Sequence, residues 1–308
     1  MYSGWTSKWP INRPLQQVEK DAALPRQQQE TTKPDDHATL VSFNSTYAEF
    51  VGRRFLLRGG ASTVFFSLAT LVLICLPFLS FTPSSGKESE IIGFSIFTIF
   101  SAAWILLFVI KILSKDFFTH TYYPIRFNRK TRQVYVFRDK RDGGILTVPW
   151  DDVFFHIGRG LRDPVYDLRG HLLEGDTVKD TFVTGLYYAD SDTVKELWEF
   201  VRCYMDEDIN DLGKVELWTS PSTSFYNCWL LAGINIGIKR NFQIKLLFPL
   251  LVLLTSTRWL VMKTSKPPVW PAEIEAACRI HQDDPLRLPE PKYIGQFGIE
   301  RERAKHSS

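Results

Sequence analysis

The chain has 308 residues, enough for two modest domains, with 44% hydrophobic and 23% charged residues. That balance excludes collagen-like, mucin-like and wholly disordered classes. A net charge of +3 is too small to point to a nucleic-acid partner. The four cysteines, at 75, 203, 228 and 278, share no short spacing, which argues against a disulfide framework, a zinc ribbon or a thioredoxin-type site.

Residues 1–50 read as a largely disordered tail. They hold Pro10, Pro14, Pro25 and Pro34, many glutamines and mixed charge. The first fifteen residues differ: Trp5, Trp9, Ile11 and Leu15 are apolar enough to dock on the folded part or on a partner. From 39 to 57 the apolar spacing improves and predicts a short helix or an extended lead-in, with Ser45 or Thr46 as a cap.

Between Arg58 and Lys87 there is no charged residue, and two uncharged runs follow one another, 61–81 and 91–110. About 20 apolar residues suffice to cross a bilayer as a helix. The spacing therefore predicts a transmembrane hairpin over 51–115, with Pro77 kinking its first helix. Arg53, Arg54 and Arg58 precede it, and Lys111 and Lys115 follow it. The positive-inside rule then puts both termini of this multi-pass membrane protein in the cytoplasm.

Residues 116–211 change character. Short β-rich runs at 121–128, 133–138, 145–150, 153–157, 165–174 and 181–189 alternate with turn chemistry such as the Gly143–Gly144 pair. They predict one antiparallel meander. A helix from about Ser191 closes it, with Val194, Leu197, Trp198, Val201 and Tyr204 on one face. The fold class is thus α+β: a two-helix transmembrane hairpin, a small antiparallel β-meander domain with a closing helix, and further C-terminal apolar helices. A pleckstrin-homology-like barrel fits this outline, as do other α+β meanders. Trp150 and Trp198 are expected in its core, with Asp151 or Asp152 capping a turn.

Residues 212–285 hold two more apolar stretches, 224–238 and 246–262, the second interrupted by Pro249 and Arg258. They read as short interfacial or packed helices, a third span being the competing reading. The prolines around Trp270 lead into a short helix at 272–280 that starts after Pro271 and carries Cys278. Residues 286–308 read as a loose tail.

Three stretches, YPIRFNRKTRQVYVFR (123–138), VPWDDV (148–153) and WPAEIEAACRIHQDDP (270–285), in this order behind an apolar hairpin, resemble an uncharacterised bacterial inner-membrane family, a domain of unknown function. The resemblance covers about residues 50–290. It implies an association with type VI secretion and polymorphic-toxin genes, and it supplies no activity and no catalytic residues.

Charge divides the region after the hairpin. Residues 111–141 carry nine basic side chains (Lys111, Lys115, Arg126, Arg129, Lys130, Arg132, Arg138, Lys140 and Arg141) against two acids; 142–211 carry six against sixteen. The basic set is the candidate contact for anionic lipid or a partner, and solvated hairpin tips are the plainer reading. Asp151, Asp152, His156, Asp163, Asp167 and His171 are the densest set of metal or acid–base groups, at a spacing that matches no catalytic pattern. Cys278 and His281 are three apart on one helix, which is not how thiol catalysts are built. Three functions remain: a non-catalytic immunity or accessory factor for a secreted toxin, a lipid-responsive scaffold, or a membrane enzyme using Asp151, Asp152 and His156. The expected partners are membrane lipid and a toxin or secretion-system protein. No cofactor, metal or nucleic acid is expected.

Overall fold

The computed structural model describes residues 9–80, 88–114, 116–160, 165–238 and 241–307. In chain order they form β1 (Arg13–Pro14), α1 (Gln17–Asp21), β2 (Leu40–Phe43), β3 (Tyr47–Val51) and α2 (Arg54–Leu57). Two long helices follow, α3 (Gly60–Ser80) and α4 (Glu88–Leu113). Then come six strands: β4 (Pro124–Asn128), β5 (Gln133–Val136), β6 (Leu146–Pro149), β7 (Val153–Arg159), β8 (Tyr166–Glu174) and β9 (Thr177–Tyr188). Helices α5 (Ser191–Asp206), α6 (Phe225–Asn235), α7 (Asn241–Leu246), α8 (Phe248–Thr264), α9 (Ala272–Ala277) and α10 (Gln296–Ser307) complete the order. The chain divides into two units. The first takes 1–56, 122–222 and 267–308, and the second takes 57–121 and 223–266.

The strands of 121–189 fall where alternation places them, but they do not make one meander. They build two antiparallel sheets, ordered β2-β3-β4-β5-β6 and β1-β9-β8-β7. The break has a local cause. Trp150–Asp152 winds into a single 3-10 turn between β6 and β7, which ends the β5–β6 ladder and starts a new one. β2 and β3 pair onto β4, with Ala48 opposite Phe127 and Phe50 opposite Ile125. The stretch 40–51, expected in the loose tail, is therefore a hairpin of the five-stranded sheet. Its turn is held by the Asn44 side chain, which accepts from the backbone N–H of Thr46 and Tyr47 at 2.9 Å.

The inner faces share one core. Phe50, Phe127, Val134 and Val148 from one sheet meet Phe155, Leu168 and Phe182 from the other, and α5 seals the assembly with Val194, Leu197, Trp198 and Val201. Trp150 stacks on Trp198 with centroids 5.7 Å apart, and Phe155 tilts against the same indole at 4.8 Å. Trp150 still satisfies its ring N–H, which donates to Asp206 at 3.0 Å. The cap of α5 is Asp190, accepting from Thr193 N–H at 2.8 Å, and the helix starts at Ser191 as expected. The sheets touch at a parallel bridge between Gly52 and Gly185. Gly185 has φ +75°, and a Cβ there would sit 2.7 Å from Leu197 Cδ2, so only glycine fits.

The outer faces are covered by the two ends of the chain. The N-terminal segment pairs β1 with one edge of β9, crosses over as α1, and bonds the far edge, where Leu24 N–H donates to Phe155 O at 2.9 Å. It is a strap across β9-β8-β7, not a loose tail. On the other sheet, Trp270 and the α9 segment pack against Tyr135 and Phe137.

In the second unit, α3 and α4 are helical as expected. However, no helix among the described residues is long and apolar enough to cross a membrane. That overturns the transmembrane hairpin, and with it the membrane and inner-membrane multi-pass assignments. The uncharged run is packed within the protein from its first turn: Ser62 and Thr63 of α3 are buried, and the Thr63 hydroxyl donates to Gly59 O at 2.7 Å. The start of α3 is in fact part of a buried polar network: Ser62 Oγ donates to Asp116 Oδ2 at 2.5 Å, and Arg58 Nη2 donates to Asp116 O and Thr119 Oγ1. Arg258 of α8 is buried in the same unit and donates from Nη1 to Arg58 O at 3.1 Å. Of the connector expected at 82–90, residues 82–87 lie outside the described residues and 88–90 belong to α4.

Candidate functional site

Where the end of β3, the start of β4 and the end of β5 approach β9, the first unit leaves a cleft of about 330 Å3. Its walls are aromatic and apolar, with Trp9, Tyr123, Phe137 and Phe182 among them, and its polar groups are mainly cationic: Arg53, Arg54, Arg138 and Lys179 against Asp142 and Asp180. Sheet geometry delivers these side chains. On β9 the register shifts opposite Leu172 and Leu173, so Lys179 is the extra residue of a bulge beside Asp180, and Phe182 follows two residues on.

Each cation is oriented by a partner. Arg138 makes a two-pronged contact with Asp180, at 2.9 and 2.8 Å, while its Nε is buried without a hydrogen-bond partner. Arg53 is buried, donates to Asp167 at 3.2 Å and lies over the Trp9 ring at 4.8 Å. Arg54 lies over the Tyr123 ring at 5.5 Å. Lys179 pairs with Glu174 at 2.7 Å on the exposed rim. Fixed guanidiniums above aromatic walls suit a carboxylate or phosphate attached to an apolar body.

Three of the other basic residues singled out in the sequence, Arg126, Arg129 and Arg132, hold the fold together. Arg126 lies between the Tyr47 and Trp270 rings, at 4.6 and 4.9 Å, bonded to Glu49 and 3.2 Å from Glu275. Arg129 bonds the Glu207 carbonyl. Arg132 bridges Asp151 and Asp206 at 2.7 and 2.9 Å. Lys130, Lys140 and Arg141 are exposed or half-buried around the turns. Lys115 lies outside the described residues, and of Lys111 only the helical backbone is described. Only Arg138 of the set reaches the cleft.

The three motif stretches are also brought together by structural contacts. Trp270 packs edge-on to Phe137 at 5.3 Å, and Asn128 Nδ2 donates to Ala277 O at 2.8 Å and to Cys278 Sγ at 3.5 Å. Pro271 caps α9. Burial pushes the Cys278 thiol up, so it is not a nucleophile poised as thiolate.

The acid–base set does not converge as a whole. Asp151 is exposed on its turn, bonded to Arg132 and Arg26, and these hold it down at about 2, Arg132 most strongly. Asp152 is exposed beside it, and Asp163 lies outside the described residues. His156 is buried elsewhere. Its Nε2 faces His171 Nε2 at 2.8 Å, and His171 Nε2 lies 3.3 Å from Glu19 Oε1. Burial, reinforced by the facing His171, lowers His156 to about 3. Burial likewise lowers His171 to about 4 against the pull of Glu19. Burial works to raise Glu19, but the Arg13 fork outweighs it and holds it at about 2.

Residues 102–282 match the model of a family of unknown function, DUF6708. The chain belongs to that family. No curated protein and no solved structure matches it. The matched span contains the three motif stretches in full except for the last residues of the third, and it contains Arg138, Lys179 and both histidines. Glu19, Trp9 and Arg53 lie before it. Sequence reading missed Glu19 and the cleft role of Arg53. The apolar start of the chain was the one available signal, and Trp9 does dock, under Arg53 and Arg169.

Proposed function

We propose that this chain is a non-catalytic binding protein whose ligand seat is the cationic, aromatic cleft of its first unit. Its partner in this reading is a toxin or secretion-system protein that presents an acidic segment with apolar neighbours, and the chain is that system's immunity or accessory factor. The observation that carries the reading is the cleft itself, with Arg53 and Arg138 held in place over aromatic walls and Arg138 Nε left without a partner. Two features support it. Asp151 of the motif stretch is spent on ion pairs with Arg26 and Arg132 instead of chemistry. Arg126, Arg129 and Arg132, the core of the stripe expected to face lipid, are spent on intramolecular contacts, which favours a protein partner over an anionic leaflet. The toxin association comes from the family resemblance.

Co-expression with the toxin candidate encoded beside its gene tests this. The intact chain should relieve growth arrest. Arg138→Ala and Lys179→Glu should abolish protection while the melting temperature stays within a few degrees of the parent. Killing that is unchanged by the intact chain rejects the toxin reading, and protection that survives both substitutions rejects the cleft.

A further inference from the structure

On the outer face of β7-β8-β9, three side chains from separate parts of the chain converge. His156 of β7 lies opposite Arg169, and His171 lies two residues along β8 from that position and opposite Thr181 of β9. Even spacing puts all of them on one face. α1 of the strap sets Glu19 above them. The ligating atoms of Glu19, His156 and His171 all lie within 4.8 Å of one another, and all three residues are buried.

The surrounding bonds prepare these groups. His156 Nδ1 is 3.2 Å from the Ile157 carbonyl. A carbonyl only accepts, so Nδ1 carries the proton and the Nε2 lone pair points at the cluster. His171 Nδ1 is 2.8 Å from Thr181 Oγ1, a hydroxyl that accepts as readily as it donates. Glu19 is fixed by the Arg13 fork and by Gln16 N–H at 3.0 Å. Two imidazole Nε2 atoms and a carboxylate, each steadied from behind, are the donor set of a borderline divalent cation.

We propose that Glu19, His156 and His171 form a structural site for a zinc-class divalent cation, which staples the N-terminal strap to the β7-β8-β9 sheet. Zn–N bonds of about 2.0–2.1 Å in a tetrahedral arrangement hold two ligand nitrogens about 3.3 Å apart. The 2.8 Å separation therefore opens by about half an ångström, within the reach of side-chain rotation. His171 keeps a single proton and exchanges tautomer: Nε2 becomes the ligand, and Nδ1–H donates to Thr181. The burial of all three ligands gives a substrate no approach, so the ion's role is to hold the strap. Since the strap also carries Trp9 and Ile11 into the cleft, the ion would steady one cleft wall from behind. A second cluster, Glu199 and Cys203 of α5 with Glu207 just past its end, lacks an imidazole, and Arg202 already holds both carboxylates.

Arg13 gives the test its discrimination. In a cation site its guanidinium competes for Glu19, whereas in a purely hydrogen-bonded cluster it only supports. The full-length chain, stripped with chelator, is titrated with Co2+ and read by visible absorption. Zn2+ is then read by elemental analysis, melting temperature and the rate of proteolytic cleavage within residues 9–24. One equivalent should bind with the spectrum of tetrahedral cobalt, raise the melting temperature and slow strap cleavage. His156→Gln and His171→Gln should abolish binding, Thr181→Val should weaken it by about 10–100-fold, and Arg13→Gln should tighten it. Absence of cobalt binding by the stripped parent chain, with a melting temperature indifferent to excess Zn2+, overturns the site regardless of how the variants fold. Binding that persists in both histidine variants overturns it equally.

Discussion

The outer faces of the two sheets solve the same problem in opposite ways. Each is covered by one end of the chain, and each cover is anchored by a buried polar cluster. Under the C-terminal cover the anchor is fully ionic, with Arg126 between two rings and bonded to Glu49 and Glu275. Under the N-terminal strap the centre of the anchor is uncharged at neutral pH, since burial keeps both His156 and His171 far below their ordinary range. A paired charge resists pH but fails if one partner is lost. A neutral pair tolerates the loss of a partner better and fails in acid.

The largest effect should come from breaking the ionic anchor on one side. Glu49→Ala leaves the buried Arg126 with only the half-exposed Glu275 as counter-charge, at a cost of up to about 3–5 kcal/mol, read as a fall in the denaturation midpoint. An equal loss for His171→Gln would erase the contrast, because Glu19 keeps its Arg13 fork and the other groups left unsatisfied are neutral, at about 1–3 kcal/mol.

Acid separates the two faces next. Both histidines are depressed in the folded state, so the unfolded chain binds more protons below its histidine pKa of about 6.5. Their contribution is intact above that pH and drains away as pH falls through the window from 6.5 to about 4 and 3. The slope should be about 1.4 kcal/mol per pH unit for each histidine within the window. Denaturation midpoints measured in chelator across that range check it, and His171→Gln should flatten the curve. A parent curve that is flat from pH 6.5 to 4 would contradict the neutral pair.

The smallest effect should be at Asp151. It is exposed, and its pairs with Arg26 and Arg132 are screened, so Asp151→Asn should cost below about 1 kcal/mol. A chemical-denaturation series is sensitive enough to see whether this conspicuous WDD motif matters more than its exposure implies.

The legible parts of the fold were the local ones. Period-two alternation marked the strands between 121 and 189, and the Val194–Trp198–Val201 face marked α5. These patterns depend on neighbours a few residues away. What escaped depends on distant partners. Tyr47–Val51 is a strand because β4, beyond two long helices, supplies its hydrogen bonds, and the tail-like composition before it hid that. Glu19 sits in a glutamine-rich, charged stretch, and its meaning comes from His171, 152 residues away. The two sheets were read as one because a single turn at Trp150–Asp152 redirects the ladder without a glycine or proline inside it. The uncharged runs misled for a different reason, since a count of charges does not show that α3 starts inside a buried polar network around Asp116.

The first unit is assembled from three separated lengths of chain, with the second unit's helices intervening twice. On a ribosome, β2 and β3 emerge well before β4 exists to receive them. The nascent hairpin must wait with its pairing edge open while some seventy further residues are made. Sheet closure is thus a late, non-local event, and the cell has to shelter this segment during translation.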